Sequence, residues 1–169
     1  MKVSFVASLL LAAGLSLAAS ARADTLAYPS PDAASFEVDY PGSWEMTPGD
    51  AVGDYLTLMS SGGTTLMLRT VEGDSDTLQA SVEASIEYVH ENYKDVMLSD
   101  PADSEQRGLT GFYTAGTAKD AEMGDVQIAM AWYALNDGTI GEIWFVGPSE
   151  DTDGIEEAGA ILDSFRSPE

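Results

Sequence analysis

A single histidine, His90, and the absence of cysteine limit the chemistry open to this chain. A Ser-His-Asp centre has to recruit His90, and no G-x-S-x-G turn is present to hold its serine. A zinc centre draws on three or four nitrogen or sulfur ligands, which one histidine cannot supply. Cysteine nucleophiles and thiolate-bound metals are excluded outright. His90 follows Val89 and lies four residues after Ile86, so it reads as a residue at the border of a helix's buried face.

The acids offer a different chemistry, because 29 of the 169 residues are Asp or Glu. Glu150-Asp151-Thr152-Asp153-Gly154 has the D-x-D-G core of a calcium loop, but Ser149 and Ala160 stand where the loop wants its first acid and its bidentate Glu. Acids also favour the positive end of a helix dipole, and this segment precedes a helical pattern. Glu72-Gly73-Asp74-Ser75-Asp76 has the same character. A glycosidase-type pair of carboxylates carries no signal in a chain this acidic, since some pair meets the required distance by chance. Gly62-Gly63 reads as a hairpin turn, because no strand–glycine–helix order and no following lysine make it a phosphate loop.

Thioethers bind copper(I), but Met46, Met59, Met67, Met97, Met123 and Met130 are scattered singly, mostly within strands, and are expected to fill the core. Trp44, Trp132, Trp144 and Tyr133 are expected in the core as well. The alternative is that they line an open groove on a sheet.

The N-terminus reads as a cleavable signal peptide, residues 1–23. Lys2 gives the positive start, Val3 to Leu17 is almost wholly apolar, and Ala21-Arg22-Ala23 supplies the small-x-small cleavage pattern. The apolar run is shorter than the roughly 20 residues of a membrane span. No cysteine is available for a lipid anchor. The mature protein is expected to be soluble, periplasmic or secreted, and without a membrane anchor.

The formal charge of the whole chain is −22, and cleavage removes Lys2 and Arg22 but no acid. A charge of this size argues against nucleic acid and anionic lipid as partners. It leaves a solvated acidic surface or the binding of divalent cations. Without disulfides, stability must come from an ordinary core, and a mature chain of about 146 residues is enough for one domain that buries roughly two-thirds of its surface.

Hydrophobic patterning places the elements. Residues 24–34, with Pro29 and Pro31, read as an extended N-terminal arm. Residues 35–40 alternate as a strand, 44–46 resume briefly, and 55–59 and 64–71 form a hairpin about Gly62-Gly63. Leu78, Val82, Ile86, Val89 and Tyr93 make one narrow apolar stripe of a helix that Asp74, Ser75 or Asp76 caps. A short strand at 95–98, a loop at 99–107, and strands at 109–118, 125–135 and 139–147 follow. Asn136-Asp137-Gly138 is a hairpin turn whose length leaves the register open by one residue; one of the registers brings Trp132 and Trp144 near one another diagonally. A closing helix carries Ile155, Ala158, Leu162 and Phe165 inward. Hairpins without βαβ units predict an α+β domain, an antiparallel sheet with two amphipathic helices packed on it, over residues 35–169.

Two segments carry a family resemblance. Phe36-Glu37-Val38-Asp39-Tyr40-Pro41-Gly42-Ser43-Trp44 resembles the F-x-V-x-Y-P-x-x-W opening of PsbP-like domains. Ala160-Ile161-Leu162-Asp163-Ser164-Phe165-Arg166 resembles their closing helix, often I-L-x-S-F-R. The element order agrees across nearly the whole mature chain. The resemblance implies an α/β/α sandwich and a binding or assembly role without enzymatic activity. Its motifs are core and turn residues, so it carries over no catalytic, cofactor or metal residue. The leading expectation is thus a non-catalytic envelope accessory or binding protein, monomeric, with an unidentified protein or small-molecule partner. The alternatives are a calcium-type cation binder using surface carboxylates, and a hydrolase with an acid-only site, which needs two converging buried carboxylates in a pocket.

Overall fold

The computed structural model describes residues 23–51 and 53–168. The segment expected to be a signal peptide, residues 1–23, lies outside the described residues apart from Ala23. Ten strands and two helices run in the order β1 (Ala23–Tyr28), β2 (Phe36–Pro41), β3 (Glu45–Thr47), β4 (Leu56–Met59), β5 (Thr65–Val71), α1 (Ser75–Asn92), β6 (Lys94–Leu98), β7 (Ala102–Gln106), β8 (Leu109–Asp120), β9 (Gly124–Ala134), β10 (Ile140–Pro148) and α2 (Thr152–Ser164).

Antiparallel pairing builds one large sheet in the order β3-β4-β5-β10-β9-β8-β6, with β7 also on β8, and a separate ribbon of β1 with β2. Residues 24–34, expected as an arm, contribute β1. Leu26 and Tyr28 alternate inward there, and Tyr28 stacks on Phe36 at 4.9 Å between ring centroids. The loop expected at 99–107 contains β7. Its residues are all small or polar and none is buried, so no hydrophobic alternation marks it. It serves α2 instead: Gln106 Nε2 donates to the carbonyls of Leu162 and Asp163, and Arg107 Nε to that of Asp163. These are carbonyls a helix end leaves without internal partners.

The central strand β10 separates two cores. Ile143 and Phe145 point to the face covered by α2 and the β1–β2 ribbon, where Phe36, Val38 and Phe165 are fully buried. Ile140, Trp144 and Val146 point to the other face, under α1 and Val89. Helices covering both faces explain why eight of the nine β10 residues are buried. Trp144 pairs with Met130, which settles the register left open by the turn and places Trp132 diagonal to Trp144. On α2 the buried line runs through Gly154, Ala158 and Ile161 to Phe165, so Ile161 takes the inward place expected for Leu162, which is half-buried.

The two segments that carry the family resemblance meet in space. Phe36 and Phe165 lie 5.0 Å apart between centroids. Arg166 grips both Asp39 oxygens at 3.0 and 3.2 Å and Glu37 at 2.9 Å. That guanidinium, followed by a hydrogen bond from Thr25, holds the Asp39 carboxyl below its ordinary value.

Asp151 ties α2 to the β4–β5 turn. Its Oδ2 accepts from Ser60 Oγ (2.8 Å), Thr64 Oγ1 (2.6 Å) and Thr64 N (3.2 Å), and its Oδ1 accepts from Gly154 N (3.1 Å). The Thr64 hydroxyl contributes most to holding its carboxyl below the ordinary 3.8, with partial burial opposing. Gly62 leaves room for this contact, since a Cβ there would sit 2.3 Å from the carboxylate. Asp151→Asn is expected to destabilise the domain. Because the folded-state value is depressed, the contribution is complete above the unfolded-state value and is lost as pH falls through the folded one. Urea titrations should therefore give a larger difference between wild type and variant at pH 7 than at about pH 3; equal differences would contradict this.

Candidate functional site

The cross-strand partners Arg69 on β5 and Glu142 on β10 sit at the centre of the sheet, on the face under α1. Glu142 has no exposed surface, and it alone among the described Asp and Glu residues is buried. Three donors satisfy it: Arg69 Nε at 2.6 Å on Oε2, and Ser85 Oγ at 3.0 Å and Trp144 Nε1 at 3.3 Å on Oε1. A buried carboxylate survives only with such partners, because its desolvation otherwise drives it to neutralise. Ser85 reaches it because it replaces an apolar residue on the inner face of α1, between Val82 and Val89.

Arg69 is fixed twice. Its Nε is held by Glu142, and its guanidinium carbon lies 4.3 Å from the centre of the Tyr55 ring, a cation–π contact. Among the described residues its two terminal nitrogens have no hydrogen-bond partner, and the side chain is 29% exposed. Burial pushes the Tyr55 hydroxyl well above its ordinary value, and the charge of Glu142 adds to the effect. Tyr55 is therefore a neutral phenol across the physiological range.

Over this group lies a cavity of about 350 Å³, lined by Tyr55, Met67, Arg69, Ala84, Ser85, Tyr88 and Trp144. Its volume falls within the ~300–1,000 Å³ of small-molecule sites. Tyr88 meets Trp144 edge to face at 5.6 Å and is itself 52% exposed, which makes it the outer wall. Small residues of α1, Ala84 and Ser85, leave the space. The lining is mainly apolar, and no Asp or Glu among the described residues is part of it.

A second cavity lies along the same helix, beside Leu78, Phe112 and Trp132. Trp132 stacks on Phe112 at 5.3 Å, and its buried Nε1 has no partner among the described residues, nor has the buried Ser81 Oγ of α1.

No protein-family model matches the chain, and no curated protein matches it in sequence. Solved structures do match its fold. Cyanobacterial PsbP (CyanoP) from Synechocystis sp. PCC 6803 aligns with a TM-score of 0.62 at 12% identity, over 88% of this chain and 94% of that one. The fold is PsbP-like. LpqN of Mycobacterium tuberculosis, described as involved in cell envelope biogenesis, aligns with a TM-score of 0.57 at 14% identity, over 87% of this chain and 91% of its own. The Saccharomyces cerevisiae Ran-binding protein Mog1p gives 0.54 at 12% identity, over 88% and 96%. The chain spans just under half, 46%, of the length of a Bacteroides thetaiotaomicron protein that it matches with a TM-score of 0.51 at 11% identity.

Within this PsbP-like fold, Met130, Trp132 and Trp144 share the core under α1, but His90 and the two acidic segments are not brought together. His90 is exposed on α1. Asp74 caps α1 by accepting from Thr77 N at 2.9 Å, as Asp151 caps α2. Both acidic segments are thus helix starts whose central carboxylates are engaged by the protein. Among the described residues no three His, Asp or Glu side chains group as a metal site. The acid-only hydrolase lacks its pair, since Glu142 is the single buried acid among those residues. Gly62-Gly63 forms the expected turn, with Gly63 at φ +95°.

Trp44, Trp132, Trp144 and Tyr133 are all buried, so they form no open aromatic groove. Trp44 lies far from the cavity, on the α2 face, donating from Nε1 to Glu157 Oε2 at 2.6 Å. The methionines correct the sequence reading. Met130 is in the core and Met67 is half-buried, but Met46, Met59, Met97 and Met123 are exposed, at 38–69%. The first three lie on strands near the sheet's two margins, where one side of the pleat has no helix over it, and Met123 lies in the β8–β9 turn.

Proposed function

We propose that the protein is an exported, monomeric, non-catalytic binding protein of the cell envelope, periplasmic or secreted, which seats a small-molecule ligand between α1 and the sheet. The observation that carries this reading is the cavity above Trp144, with a mainly apolar lining and one charged side chain in it, Arg69, held from behind by the buried Glu142. Sites for small ligands combine these features, apolar walls for affinity and a few fixed polar groups for orientation. The N-terminal pattern of residues 1–23 supports export. LpqN's printed role in envelope biogenesis and Mog1p's in binding Ran support an accessory role over an enzymatic one. No helix among the described residues is long and apolar enough to cross a membrane.

The test is a titration of the mature protein with the neutral fluorescent dye N-phenyl-naphthylamine. Wild type is expected to bind one dye saturably with enhanced emission. Ala84→Trp, which puts an indole over the mouth of the cavity, is expected to lose at least tenfold in affinity. Absence of a saturable site, or equal binding by the variant, would refute the reading.

A further inference from the structure

We infer that the ligand of this cavity is a small amphipathic carboxylate, its acid group held by the terminal nitrogens of Arg69 and its apolar body against Met67, Tyr88 and Trp144. The inference rests on the cavity being the ligand seat and goes on to name what fills it.

Arg69 carries the argument. A guanidinium has five N–H donors in a rigid fork. Glu142 takes only the one on Nε, at 2.6 Å, and Tyr55 covers one face of the plane. Arg69 lines the cavity, and its remaining edge, with two terminal nitrogens, has no protein acceptor among the described residues. That edge matches the two oxygens of a carboxylate, a pairing stronger than neutral hydrogen bonds and specific in geometry.

Glu142 meets Arg69 through Nε and makes no hydrogen bond to the terminal nitrogens, while Ser85 and Trp144 take its other oxygen. Its role is positioning: it holds the fork in one orientation, so little side-chain entropy is lost on binding. A cationic ligand is disfavoured beside Arg69, and a wholly apolar one leaves the Arg69 donors desolvated without an acceptor. The chain's large negative charge acts mainly outside the cavity. It is screened over about 8 Å at physiological salt, and no acid among the described residues is part of the lining.

Two probes of the same shape separate the claims, phenylpropionate and phenylpropanol, each titrated by calorimetry into the mature protein. Wild type is expected to bind the carboxylate at least tenfold more tightly, the effect of about 1.4 kcal/mol. Arg69→Lys keeps a cation opposite Glu142 but loses the fork, and is expected to bind both probes alike. The doubly apolar variant Arg69→Met with Glu142→Leu should also lose the preference while still binding the alcohol. Equal binding of both probes by wild type overturns the carboxylate inference and leaves the cavity as a ligand site. A preference that survives in both variants removes Arg69 as the anchor. Binding of neither probe, together with failure of the dye titration, overturns both readings.

Discussion

Arg69→Leu is expected to destabilise the domain by about 3–5 kcal/mol, because it leaves Glu142 as an uncompensated buried charge. Glu142 is completely buried, and Ser85 and Trp144 alone supply neutral hydrogen bonds at 3.0 and 3.3 Å. On a domain whose total stability is roughly 5–15 kcal/mol, this is a large share. Replacing both partners, as Arg69→Met with Glu142→Leu, should return most of the loss, since a buried ion pair exchanged for apolar groups of similar volume is often neutral or stabilising. Urea unfolding at neutral pH reads both variants. A single variant within about 1 kcal/mol of wild type would show that Arg69 does not compensate Glu142. A double variant that stays folded also isolates function from stability, because it removes the proposed carboxylate anchor without a stranded charge.

Phe165→Ala is expected to cost about 3–5 kcal/mol, the range for emptying a fully buried aromatic site. Phe165 is completely buried and stands within 5.0 Å of the Phe36 ring and 5.8 Å of the Tyr133 ring, centroid to centroid. It also lies against Gly141 on β10, where a Cβ would come within 2.6 Å of its Cζ. Gly141→Ala should therefore be destabilising by itself, by about 1–3 kcal/mol through overpacking. In the double variant the added methyl occupies space the ring has vacated, so the two costs should sum to more than the measured loss. Full additivity in thermal or urea unfolding would mean that ring and glycine are not in contact.

The sheet, its antiparallel hairpins and the two helices were legible because alternation and helical spacing are strong where one face is buried and the other wet. The β4–β5 and β9–β10 hairpins announce themselves through Gly62-Gly63 and Asn136-Asp137-Gly138. β7 was hidden for a physical reason: Ser104 and Gln106 bind the Tyr133 hydroxyl and the end of α2 rather than a core, so its residues are small or polar. β1 was obscured by the prolines that follow it, Pro29 and Pro31, although Leu26 and Tyr28 already alternate.

The site was only half visible. Glu142 lies between Ile140 and Trp144 on the inward side of β10, so the strand's period of two already assigns it to the buried face. Arg69 in Leu66-Met67-Leu68-Arg69 and Ser85 in the α1 stripe are similar polar intrusions in apolar patterns. Each is unremarkable alone. What the linear sequence does not contain is the register that sets Arg69 opposite Glu142, or the depth of the space that Ala84 and Ser85 leave above them. The acidic segments mislead in the opposite direction, since their spacing suggests a cation loop while Asp74 and Asp151 serve as caps.

The most direct measurement follows the three indole N–H signals of Trp44, Trp132 and Trp144 in a proton–nitrogen correlation spectrum as phenylpropionate is added. These groups report separate places: Trp44 is bonded to Glu157, Trp132 is stacked on Phe112, and Trp144 is bonded to Glu142 beneath the cavity. The Trp144 signal is expected to move saturably while that of Trp44 stays in place. A Trp144 signal that does not respond, or a response centred on Trp44, would contradict a ligand seat between α1 and the sheet.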